Sequence, residues 1–204
     1  MRSAPSVLSI VTAVLLLAPA TASVRAQQEQ LEIDAFAINM SNIATGANAR
    51  VDITINSWST PEEREQLIMT MIEKGSGALL KALQKSSVKG RFRIPTARPP
   101  DPHHLSLGLD IRYAWQVPRP DGGKRIVLAL DRYIGFAEAR NQPRSIDYPF
   151  TVIEMHVNGD GDGQGTMSVA TKVIADKDKQ SITLENFGTT PVLLQAVKRQ
   201  RESQ

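Results

Sequence analysis

The chain has 204 residues, 41% of them hydrophobic and 5% aromatic, with 24 Lys and Arg against 21 Asp and Glu, a net charge of +3 and no Cys. Lack of Cys excludes a disulfide framework, a thiolate metal site and a cysteine nucleophile, and it predicts no thioether lipid anchor. Basic residues are not interleaved with aromatics, so no nucleic-acid partner is expected.

Residues 1–26 carry Arg2, an apolar run from Val7 to Ala18, the helix breaker Pro19 and small side chains up to Ala26. That order predicts a secretory signal peptide cleaved after Ala26, with Ala22 as the competing site, and hence an exported bacterial protein, periplasmic or extracellular. The run falls short of the about 20 apolar residues that a spanning helix needs, so no membrane span is expected. Arg2 and Arg25 leave with the leader and take most of the net charge with them. Residues 27–204 are expected to form a single β-rich domain, long enough to bury about 70% of its unfolded surface.

A first strand is predicted near Leu31 to Met40. In a second, Val51, Ile53 and Ile55 alternate with Asp52, Thr54 and Asn56. Ser59 or Thr60 then caps a helix opened by Pro61, with Glu62, Glu63 and Glu65 in its first turns and Gly75 at its end. A second short helix is predicted over Ala78 to Lys85, making a helical hairpin that lies on the sheet. The basic runs Lys89 to Arg93 and Lys198 to Arg201 read as solvated ends of elements.

The clearest alternation runs from His104 to Val117. It places Leu105, Leu107, Leu109, Ile111, Tyr113, Trp115 and Val117 on one parity, which reads as a single strand with that face inward. Asp121-Gly122-Gly123 turns the chain into a strand from Arg125 to Asp131 with Ile126, Leu128 and Leu130 inward. Further strands are predicted at Phe150 to Val157, Gly165 to Ala175, Ser181 to Phe187 and Pro191 to Val197. About eight or nine strands with one greasy face, and only two short helices to cover them, predict an α+β, mostly β fold. The expected form is a strongly curved antiparallel sheet, barrel-like or folded on itself, with a β-sandwich as the alternative.

Candidate chemistry is sparse. The loop Asn158-Gly159-Asp160-Gly161-Asp162-Gly163 resembles the first half of a calcium loop, with Asn158, Asp160 and Asp162 as ligands, but Val169 stands where the bidentate Glu belongs. His103 and His104 are adjacent, so they point to opposite faces and cannot easily share a metal ion. Glu154 and His156 share a strand face and make a candidate acid/base pair. The densest polar stretch, Glu138 to Phe150, offers Glu138, Arg140, Arg144, Asp147 and Tyr148 as an ion-pair network or as a loop that recognises a ligand or partner.

EARNQPRSIDYPF at 138–150, running on into TVIEMHV, with STPEERE at 59–65 and LENFGTTPVLL at 184–194, resembles a family of exported bacterial proteins of unassigned function. The resemblance implies export and a single domain, and implies no activity, cofactor or catalytic residue. With no nucleophile elbow and no phosphate-cradling loop, the expectation is a non-catalytic binding module for an apolar small molecule or a protein, without a cofactor. The alternative is a hydrolase using polar residues between 138 and 156.

Overall fold

The computed structural model describes residues 30–40, 46–97, 104–134, 136, 149–176, 181–186 and 192–199. Strands β1 (Leu31–Ile38) and β2 (Asn48–Ile55) pair antiparallel, with Leu31 opposite Ile55 and Ile38 opposite Asn48. Helices α1 (Pro61–Lys74) and α2 (Ser76–Lys85) follow. Then come β3 (Gly90–Arg93), β4 (Leu109–Pro118), β5 (Lys124–Leu130), β6 (Phe150–Val157), β7 (Asp162–Asp176), β8 (Ser181–Asn186) and β9 (Val192–Arg199).

Each of β1 to β7 pairs with the next, and β9 pairs with both β7 and β1, so eight strands close into an antiparallel barrel. Strand β8 stands outside this circuit, on the distal half of β7, with Thr171 opposite Asn186 and Asp176 opposite Ser181. The fold is thus mostly β with two helices after β2. Closure is the reason a barrel forms: eight strands with one apolar parity each can bury that parity against one another without a second sheet.

The interior is filled by aliphatic side chains. Ile53, Ile111, Leu128, Ile153, Met155 and Met167 are among the fully buried ones, joined by Phe92 from β3. Each such side chain contributes about 1.5–3 kcal/mol relative to exposure.

Strand β4 departs from the predicted pattern in two ways. It starts at Leu109, because His104 adopts φ 55° and its carbonyl accepts from the Gly108 amide at 2.9 Å, closing a turn that leaves Leu107 71% exposed. A bulge then breaks the parity: Ile111 pairs with Leu130 and Tyr113 with Ala129, so Arg112 is the extra residue. Beyond it Ala114 faces inward and Tyr113, Trp115 and Val117 face out. Arg112 itself reaches the Ser86 carbonyl at the end of α2 at 3.1 Å.

The outward aromatics serve the helical hairpin. Met71 and Leu83 from α1 and α2 form a second buried cluster with Phe150 and Val173, against which Tyr113, Ala129 and Val152 pack. Arg64 of α1 lies over the Trp115 ring, 5.4 Å from its centroid. Thr60 is the N-cap: its hydroxyl accepts from the Glu63 amide at 3.1 Å, and Glu63 accepts from the Thr60 amide at 2.9 Å. Ser59 instead exchanges hydrogen bonds with the Ala114 backbone. Lys89, expected as a solvated end, is 5% exposed, because its ammonium pairs with Glu63 beneath the hairpin.

Candidate functional site

Along β1 the odd residues Leu31, Ile33, Ala35 and Ala37 point inward, which leaves Glu32, Asp34, Phe36 and Ile38 outside. The hairpin covers the outer wall over β4, β6 and distal β7, and the wall over β1 and β9 lies on another side of the barrel. There Phe36 is 50% exposed and Ile38 pairs with Leu193. Leu193 in turn pairs with Thr166 of β7. A small uncharged patch results, anchored by an aromatic ring and bordered by charge.

On the β2 side the border is an ion-pair ladder. Asp34 and Asp52 stand directly opposite one another, a repulsive pairing that Arg50 resolves by reaching Asp34 at 2.8 Å and Asp52 at 3.1 Å. Arg93 adds a contact to Asp52 at 2.9 Å. The hydrogen bond to Asp34, together with both carboxylate charges, raises the Arg50 guanidinium above its already high range.

The β6 side holds the sequence-predicted pair. Arg125 forks onto Glu154 through Nε at 2.8 Å and Nη2 at 2.9 Å. His156 Nε2 lies 3.0 Å from Glu154 Oε1, and Arg119 Nη1 lies 3.0 Å from His156 Nδ1. The hydrogen bond from Arg125 comes first among the influences that hold the Glu154 carboxyl below the usual carboxylate range, burial opposing it. A guanidinium can only donate, so Nδ1 is the acceptor and the ring proton sits on Nε2, facing Glu154. Arg119, His156, Glu154 and Arg125 are thus joined in one polar network on this face. Beside it is a recess of about 180 Å³ lined by Glu154, His156, Gln164, Gly165, Thr166 and Leu193, smaller than the about 300–1,000 Å³ of ordinary ligand pockets.

In the Asn158 loop the side-chain oxygen of Asn158 accepts from the amides of Asp160 and Asp162, both at 3.0 Å. The oxygen that a cation would need closes the turn instead. Among the described residues no group of three or more His, Cys, Asp or Glu is placed to hold a metal ion. His103, Glu138, Arg140, Arg144, Asp147 and Tyr148 lie outside the described residues.

Phe36 and Arg50 were not picked out as site residues from the sequence. A signal was there: Phe36 and Ile38 occupy the same parity as Glu32 and Asp34, the parity a half-buried strand turns to water. Comparison with protein-family models, curated proteins and solved structures finds no match to this chain.

Proposed function

We propose that this chain is a non-catalytic interaction module, exported once residues 1–26 are removed, and that it recognises a protein through the outer wall of β1 and β9. The observation that carries this reading is Phe36, half exposed on a strand face that the helical hairpin does not cover, beside Ile38 and Leu193, with ion pairs to either side. An exposed aromatic anchor with a charged surround is the anatomy of a protein interface. The filled interior supports the same reading over an apolar small molecule, because the described core side chains occupy the space that a carrier would leave open. The resemblance to exported bacterial proteins agrees with the compartment.

A photoreactive phenylalanine analogue at position 36 tests it in the producing cell, with position 65 on the exposed face of α1 as control. A discrete cross-linked protein from position 36 and none from position 65 is expected. Absence of any product at position 36, or equal products at both positions, would overturn the reading.

A further inference from the structure

The contact between Arg119 and His156 exists in one protonation state only. Arg119 opens the β4–β5 turn, where its amide donates to the Gly123 carbonyl at 2.8 Å, its carbonyl accepts from the Gly122 amide at 3.1 Å, and its side chain pairs with Asp121 at 3.0 Å. Its other terminal nitrogen crosses to His156 on β6 and donates to Nδ1. A proton on Nδ1 would put two donors and two positive charges at that contact. The opposite nitrogen would meanwhile gain, since its existing hydrogen bond to the Glu154 carboxylate becomes an ion pair with charge on both partners.

We infer that His156 and Arg119 form a pH-sensitive latch: neutral His156 ties the β4–β5 turn to β6, and protonation passes the imidazole to Glu154 and releases Arg119. The groups facing the ring are Glu154 on its own strand, Arg125 on β5, Gln164 on β7, and Arg119 with Asp121 in the turn. Arg125 is already committed to Glu154 through both carboxylate oxygens, and Gln164 is neutral, so Glu154 is the group that takes up the imidazolium. Asp121 keeps the released Arg119 within the turn. The turn also lines a recess of about 70 Å³ with Leu31, Ile33 and Val157, so its release changes access to that end of the barrel. An unperturbed imidazole changes charge between about pH 5 and 8.

The test is nitrogen NMR of the His156 ring together with amide protection factors for Gly122 and Gly123, followed across that pH range. The expected result is the Nε2–H tautomer at neutral pH and a several-fold loss of turn protection that tracks the His156 titration. In His156→Gln the side chain still offers an acceptor to Arg119 and a donor to Glu154 but cannot gain a proton, so protection stays high and flat. Arg119→Gln should show low protection at every pH. An Nδ1–H tautomer at neutral pH, protection that ignores the His156 titration, or an unchanged pH response in His156→Gln would each overturn the latch.

Discussion

The ammonium of Lys89 sits between the two carboxylate oxygens of Glu63, at 2.9 and 2.8 Å, and so fastens the first turn of α1 to the residue preceding β3. Glu63 also completes the capping box with Thr60, which makes one side chain responsible for starting the helix and docking it. Glu63→Ala leaves a buried ammonium without its counter-ion and is expected to cost about 1–3 kcal/mol in urea unfolding. Lys89→Met keeps the buried stem and leaves a carboxylate that water reaches, so it costs less.

Burial pushes the Glu63 carboxyl up, but hydrogen bonds from Lys89 and the Thr60 amide outweigh it and hold the group below its ordinary 4.5. Glu154 is lowered from the same ordinary value, first by Arg125. A depressed carboxyl stabilises the fold fully above its unfolded value, and that contribution disappears as pH falls through the folded one. The melting temperature should therefore hold above about pH 5 and drop below about pH 4. Glu154→Gln and Glu63→Gln should each show a shallower acid drop in a thermal-shift series, and a drop as steep as that of the parent protein would contradict this linkage.

Tyr113 reports on the seam between hairpin and barrel. Burial raises its phenol above 10.0, while the charge of Arg64 and a hydrogen bond from it act in the other direction. Arg64→Ala removes the lowering influences and the contact with Trp115, so Tyr113 should ionise at still higher pH. Absorbance titration at the tyrosinate band reads the shift. A cost of about 0.5–1 kcal/mol should accompany it from the lost cation–π contact.

Two glycines should respond in opposite directions to alanine. A Cβ at Gly165 would run into the Glu154 carbonyl oxygen and the Met155 backbone, neither of which can yield without opening β6 from β7. Gly165→Ala is expected to cost about 2–4 kcal/mol. Gly77, within α2, has open space around it, and Gly77→Ala should stabilise by about 0.5–1 kcal/mol. Urea unfolding midpoints measured side by side decide both.

Ala196 sits at φ 48° in a bulge of β9, where Phe36 pairs with Gln195 but Asp34 pairs with Lys198. Left-handed backbone costs an L-residue about 1–2 kcal/mol, part of which glycine recovers. Ala196→Gly is expected to stabilise by about 0.5–1 kcal/mol, and Ala196→Val to destabilise by more than that. Equal midpoints for the two variants would contradict the strain.

The elements most legible in the sequence are those whose signal is local. Thr60, Pro61 and Glu63 announce the start of α1, and the single apolar parity of β2 and β5 announces half-buried strands. The polar pair Glu154 and His156 was also legible as a shared face, because alternation alone decides it. Arg119 and Arg125 were not, since they reach Glu154 and His156 through strand register, which period-two patterning leaves open.

What the sequence determined by itself is the mostly β, antiparallel character of the chain and the helical pair after β2, because alternation, caps and turn glycines act over a few residues. The tertiary structure alone decided closure, the face of Tyr113 and Trp115, and the burial of Lys89. Closure depends on β9 finding both β1 and β7, partners far apart along the chain. The outward turn of the two aromatics needs one extra residue, Arg112, in a strand whose apolar pattern runs on unbroken. Lys89 is buried because Glu63, on an element inserted before it, supplies the charge that makes burial tolerable.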